Sequence, residues 1–414
     1  MINLNISLRT KILLENFTAL SALQIVNYVL PLLTLPYLVR VLNPDKFGLI
    51  AFAQALTQYF ILFTDFGFNF SAVREVSINR DNIAKVSEIF STVYFIKIFL
   101  TMLSFLLLCL AVVFIPKLNA EWKLYLLMFG TVVGNMLFPI WFFQGIEQMK
   151  YITILNVLSK VTFTILVFVL IQEEQDYMLF PIINFFGFFL AGIAGIWIAI
   201  SRFSIRVFMP DRKYIISQFK LSYHFFASRV CLAIYTVSNT FLLGILGNNE
   251  ITGYYAAAEK LVRAVESMTQ PIINTLYPYI SRTKDIKLCK KIIYLGLAAG
   301  MVICLIFIVL GQQITNILYG ENFGTTSSML KMYAIDLLVV FPSSLMGLPI
   351  LAAFGHIKYL NYTNLIGLVV YVIIVGGLLS VSYFNVYLLI IAIIASEATV
   401  LAARVIGLKK YKLW

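Results

Sequence analysis

Apolar residues in this chain come in long runs instead of alternating with polar ones. Stretches of about twenty recur from end to end, separated by short polar or basic segments. A bilayer core about 30 Å thick calls for about 20 apolar residues per crossing helix. On that measure the first half of the pattern predicts helices over about 17–40, 47–68, 89–115, 121–144, 151–171 and 177–201. The second half predicts them over about 221–246, 252–281, 291–318, 328–354, 359–383 and 385–408. The expected fold is an all-α integral membrane protein with twelve transmembrane helices. Its expected division is an N-lobe at 1–205, a basic cytoplasmic linker at 206–220 and a C-lobe at 221–414.

Polar positions inside the runs repeat. Offset by 205 positions, VLNPDKFGLIAFAQAL falls on LGNNEITGYYAAAEKL, so Asn43 meets Asn248, Asp45 meets Glu250 and Gly48 meets Gly253. At the same offset Gln24 meets Arg229, Gln54 meets Glu259, Gln58 meets Arg263 and Asp65 meets Gln270. Spacings of four and seven keep each set on one helical face. Two homologous halves of six helices each enter the membrane in the same sense. That is a parallel repeat about an axis along the membrane normal, with a shared central cavity expected between the lobes.

Composition rules out a soluble protein. The chain is 61% hydrophobic and 12% charged, against about 25% charged in an ordinary globular domain, and its mean hydropathy is +0.92. The net charge of +12 follows from basic cytoplasmic loops rather than from nucleic-acid binding. Lys and Arg gather in alternate loops, among them Arg74, Arg80 and Lys85, then Arg202 to Lys220, then Arg282 to Lys291, then Lys409, Lys410 and Lys412. Both termini are therefore expected on the cytoplasmic side. Cys109, Cys231, Cys289 and Cys304 have no paired spacing and read as packing residues. The run Trp141-Phe142-Phe143 at a helix end reads as an interfacial aromatic belt. Asp65-Phe66-Gly67 spells a kinase triplet, but no glycine-rich loop or HRD accompanies it. No phosphate-binding GxxxxGK[ST] loop occurs. No cofactor is expected, and any energy must come from an ion gradient, the membrane potential or consumption of product.

Charged residues inside the runs are the candidates for function, because each costs at least about 2.5–3.5 kcal/mol at mid-helix. Lys160 and Arg229 each lie about nine residues from the cytoplasmic helix end, roughly 13 Å deep. Together with Arg263 and Lys260 they are candidate contacts to an anionic substrate, and Gln24, Gln54 and Gln58 line the matching face of the first half. Arginine suits phosphate through its bidentate fork. Glu259 and Arg263, four apart, also suit a simple helix pair. Asp336 and Glu397 have no close basic neighbour in sequence. A carboxyl buried away from cations is costly as an anion and is suited to carrying a proton. These two, with Glu259 and Asp65, are the candidates for coupling to H+ or Na+. No metal site is expected.

Three blocks resemble a known family. VLNPDKFGLIAFAQAL followed by FTDFGFNFSAVREVSINRD, then WFFQGIEQMKYITILNVLSK, then GYYAAAEKLVRAVESMTQPIINTLYPYIS, look like the polysaccharide biosynthesis (O-antigen type) flippases. These belong to the superfamily of multidrug, oligosaccharidyl-lipid and polysaccharide exporters. The resemblance implies a flippase of the bacterial inner membrane, not an enzyme. Its substrate would be undecaprenyl-pyrophosphate-linked oligosaccharide, moved from inner to outer leaflet by alternating access. The partners implied are that lipid-linked oligosaccharide, membrane lipids, a polysaccharide polymerase and a chain-length regulator. The second half carries Arg229, Glu259 and Arg263 where the first has Gln24, Gln54 and Gln58, so the charge is asymmetric. A drug or small-cation exporter of the same fold, which would prefer acids in its cavity, is the main rival. A membrane glycan polymerase or ligase is a weaker one, since the external loops are short.

Overall fold

The structure, a computed structural model, describes residues 8–381 and 385–413; the side chains of residues 8–25, 28, 29, 228, 232 and 235 lie outside that description. The described residues are overwhelmingly helical. In chain order the helices are α1 (Leu8–Asp65), α2 (Phe68–Ile78), α3 (Ile83–Phe114), α4 (Pro116–Ala120), α5 (Trp122–Leu137), α6 (Ile140–Gly145), α7 (Met149–Leu170) and α8 (Leu179–Phe203). They continue with α9 (Arg212–Leu246), α10 (Asn249–Ser267), α11 (Thr269–Thr283), α12 (Ile286–Tyr319), α13 (Gly324–Tyr333), α14 (Asp336–Met346), α15 (Ile357–Ser380) and α16 (Val386–Lys410). Among the described residues eight helices are long and apolar enough to cross a membrane, or up to ten if each of two bent pairs is one span. The chain is a multi-pass membrane protein.

The predicted helices at 17–40 and 47–68 are joined in α1, whose backbone breaks at Asn43 (φ 57°, ψ 166°). The break has a local cause. Pro44 disfavours the helical conformation of the residue before it, and asparagine tolerates positive φ better than most residues. A second break ends α1, where Phe66 (φ 42°) and Gly67 (φ 79°) turn the chain into α2. Gly67 is needed twice over. Its φ suits glycine, and a Cβ there would sit 2.8 Å from Phe225 Cβ and from Phe226 N. The stretch from α10 to α11 is not among the apolar spans, and Glu259, Lys260, Arg263 and Glu266 make it much more polar than they are.

By packing, the chain forms two compact units, one of Met1–Leu42 with Ala53–Val230, the other of Asn43–Phe52 with Cys231–Trp414. The division between the units falls inside α9, at Val230–Cys231.

In the first unit α5 and α7 pack along α8. Its core holds Phe90, Trp141, Phe142 and Phe143, all essentially inaccessible. The expected aromatic belt at 141–143 is therefore a packing core. Helix α5 stops at Phe138-Pro139 and restarts as α6, and this turn points the three rings inward against Phe90 and Phe203.

In the second unit α12 packs on α13 and α14, and α15 on α16. Gly48 and Gly253, the pair matched by the 205-residue offset, meet within it. A Cβ on Gly48 would lie 1.8 Å from Asn249 O, and one on Gly253 would lie 2.1 Å from Pro44 O. Asn239 is buried at the centre of a network, accepting from Tyr371 Oη at 2.5 Å and donating to Leu389 O at 3.0 Å. Cys289 and Cys304 are buried and all four cysteines are free.

Candidate functional site

Each unit holds a cluster of ionisable groups in its helical interior, and the two differ in the sign of their excess charge.

In the first unit the cluster is built on Asp65, the last residue of α1. The turn at Phe66-Gly67 lets α9 approach closely, and Phe66 stacks on Phe226 at 4.5 Å. That contact brings Arg229 of α9 to Asp65, 164 residues away in sequence. Arg229 Nη1 donates to Asp65 Oδ2 at 2.9 Å. Asn69 Nδ2 donates to the same oxygen at 2.8 Å. The other oxygen, Oδ1, faces Lys97 Nζ of α3 at 3.6 Å. The Asp65 side chain is 10% exposed and that of Lys97 is 4%, whereas Arg229 keeps 40% of its side chain accessible. Its guanidinium lies 5.8 Å from the ring centre of Phe70. Two cations and one carboxylate leave a formal excess of one positive charge, and Arg229 is where that charge reaches the surface.

Lys160 is also in the first unit but apart from this cluster in its bonding. Its ammonium donates to Asn27 Oδ1 of α1 at 2.6 Å. Gln54 is half-buried and Gln58 is exposed. Gln24 lies outside the described side chains.

In the second unit Arg263 sits between two carboxylates of its own helix. It reaches Glu266 Oε2 at 3.1 Å and Glu259 Oε1 at 3.6 Å, and its Nη2 donates to Thr236 O at 3.4 Å. Thr240 Oγ1 donates to Glu259 Oε2 at 2.6 Å. Asp336, at the start of α14, is 1% exposed; no donor group reaches its oxygens, and the side chain at hydrogen-bonding range is another carboxyl, Glu266. It lies within electrostatic reach of Glu266, Glu397 and Arg263. This cluster gathers four carboxyl groups around Arg263, and with Arg404 beside Glu397 and Lys260 beside Glu259 a formal excess of one acidic group remains. Lys260 lies in the electrostatic field of Glu259, with its ammonium 5.0 Å from the ring centre of Phe47. Among the described residues no group of three or more His, Cys, Asp or Glu has a geometry that holds a metal ion.

Sequence reasoning singled out Asp65 and Arg229 but not their pairing, because nothing local links α1 to α9. It missed Lys97, although the rule that marks a charge inside an apolar helix applies to it as well. Glu266, another charge within a membrane-spanning stretch, shares Arg263 with Glu259.

The helical architecture has counterparts among solved structures. Over 96% of this chain and 87% of the other, it superposes on the inward closed conformation of the lipid II flippase MurJ with a TM-score of 0.75 at 15% identity. Over 96% and 98% it superposes on an inward-facing multidrug resistance MATE family transporter of the MOP superfamily, with a TM-score of 0.68 at 13% identity. These likenesses define the fold class. The chain belongs to the polysaccharide biosynthesis protein family, whose model matches residues 13–284. It is 30% identical over 279 residues, 67% of each chain, to an Escherichia coli K12 protein that carries the name of an O-antigen transporter. The proteins it resembles are transporters and flippases, not enzymes.

Proposed function

We propose that this protein is a flippase for lipid-linked oligosaccharide, carrying an undecaprenyl-pyrophosphate-linked repeat unit of a surface polysaccharide from the inner to the outer leaflet of the bacterial cytoplasmic membrane. The observation that carries the reading is Arg229, a guanidinium held by Asp65 inside a membrane protein of this family yet left 40% accessible. Sugar hydroxyls cannot cross hydrocarbon without partners, at a cost of several kcal/mol each. Alternating access removes that cost by opening a polar, wet passage first to one leaflet and then to the other, while the lipid tail stays in the bilayer. The phosphates need a cation on the way, and Arg229 presents one. With a negative cell interior, export of two negative charges is favoured by roughly 4.6 kcal/mol per 100 mV.

Counting α1 as two crossings divided at Asn43, each bent pair as one, and the polar stretch α10–α11 as another gives twelve crossings, six in each half. The loop charges then put both termini in the cytoplasm. A polysaccharide polymerase on the outer face, with a chain-length regulator as its partner, is the natural consumer of product.

The acidic cluster of the second unit suits the coupling ion. Asp336 is buried with a second carboxyl, Glu266, at hydrogen-bonding range and no donor group on its oxygens. Two carboxyls this close suit a shared proton as the cargo, with Glu259 and Glu397 nearby in the same electrostatic field. The same acidity supports the second reading, a drug or small-cation exporter.

A deletion strain separates the two readings. Loss of surface polysaccharide with unchanged drug tolerance is expected, and drug hypersensitivity with intact polysaccharide would support the exporter instead. Complementing that strain with Asp336→Asn, which keeps the shape of the neutral acid, is expected to restore protein but not polysaccharide. Full restoration would remove Asp336 from the coupling mechanism.

A further inference from the structure

We propose that Lys97 is the charge that keeps Arg229 available to an anionic ligand, although Lys97 itself is too deeply buried to touch one. The inference deepens the flippase reading and rests on Arg229 being the contact to the substrate's phosphates.

The two oxygens of Asp65 have separate tasks. Oδ2 takes Arg229 at 2.9 Å and Asn69 at 2.8 Å, and so fixes one edge of the guanidinium. Oδ1 is turned to Lys97 at 3.6 Å. Asp65 and Arg229 alone would be a neutral pair. An approaching diphosphate would meet the carboxylate's repulsion at nearly the same range as the guanidinium's attraction. Lys97 cancels the carboxylate from its buried side, at 4% side-chain exposure. The surplus positive charge then appears on the accessible side, at Arg229. Asp65 is thus a positioning residue for Arg229, and Lys97 neutralises Asp65 so that positioning does not silence the arginine.

This arrangement also accounts for a lysine within the long apolar stretch of α3 that follows Glu88. A buried ammonium needs a counter-charge, and Asp65 is the carboxylate within ion-pair distance of it. If Lys97 served stability alone, its removal would leave the Asp65–Arg229 bond in place and ligand affinity unchanged. If it sets the charge of the site, its removal weakens affinity while that bond persists. One unit charge at this range in a partly buried site changes affinity for a multivalent anion by about tenfold.

The test uses full-length protein in detergent with farnesyl diphosphate as probe, read by calorimetric titration alongside thermal unfolding. Arg229→Ala is expected to lose binding. Lys97→Met is expected to unfold near the wild-type temperature yet bind about tenfold more weakly. Asp65→Asn/Lys97→Met, which removes both the carboxylate and the charge it needs, is expected to return to within about threefold of wild type. Wild-type affinity in Lys97→Met beside a loss in Arg229→Ala overturns the inference and leaves the flippase reading standing. Wild-type affinity in Arg229→Ala overturns both. Should Lys97→Met not be recovered folded, the double variant decides: tenfold or weaker binding than wild type overturns the inference.

Discussion

Replacing Arg229 with alanine removes surface polysaccharide while the protein stays folded and at its normal level in the membrane. Both halves of that expectation come from the same three residues. A hydrogen bond to a charged group is worth about 1.5–3 kcal/mol, so losing the guanidinium costs a bound diphosphate on the order of ten- to a hundredfold. The carboxylate that Arg229 leaves behind is not stranded, because Asp65 keeps Lys97 at 3.6 Å and Asn69 at 2.8 Å. Arg229 is also 40% exposed, so solvent screens much of its own ion pair. Immunoblotting of membranes beside polysaccharide staining checks both halves, and wild-type polysaccharide in the variant would dismiss Arg229 as a substrate contact. Arg263→Ala is a poorer probe. It strands Glu259 and Glu266, both little exposed, so a loss of function there would report instability as readily as lost binding.

Gly48→Val abolishes the folded protein. The added Cβ would fall 1.8 Å from the carbonyl oxygen of Asn249 and 2.6 Å from the backbone nitrogen of Gly253. Both obstacles are backbone atoms, which cannot rotate aside as a side chain can. Ordinary overpacking costs about 1–3 kcal/mol, and a clash of main chains at this distance exceeds that range. Since folded proteins hold only about 5–15 kcal/mol in reserve, the variant should be degraded or aggregate. Size-exclusion chromatography of detergent extracts would show it. A monodisperse peak with the wild-type unfolding temperature would mean that the close approach of these two glycines is not required.

Much of the fold was legible in the chain because it depends on local pattern. The apolar runs mark most of the crossings, and Asn43-Pro44 marks the break that divides a 58-residue helix. The offset that pairs Gly48 with Gly253 also pointed at residues that touch. What failed depended on a third dimension. Trp141, Phe142 and Phe143 have the composition of a membrane-interface belt, and only the turn at Pro139 that aims them inward makes them core. The candidate site was legible as residue types and not as partnerships. Asp65 and Arg229 each stand out as charges in apolar helices, but the contact between them is made by α9 closing on the Gly67 turn. Lys97 was hidden by the length of the apolar run around it. The surplus charge of one cluster and the acidity of the other appear only once partners are assigned.

Liposomes carrying the purified protein, loaded on one leaflet with undecaprenyl-pyrophosphate-linked oligosaccharide bearing a fluorescent sugar, give the most direct measurement. The readout is the rate at which the label becomes accessible to a membrane-impermeant quencher on the opposite side. A flippase that works through Arg229 moves the label with wild-type protein, and with Arg229→Ala no faster than protein-free vesicles do. Equal rates for the two proteins, or no transfer by the wild type under an imposed membrane potential and pH gradient, would contradict it.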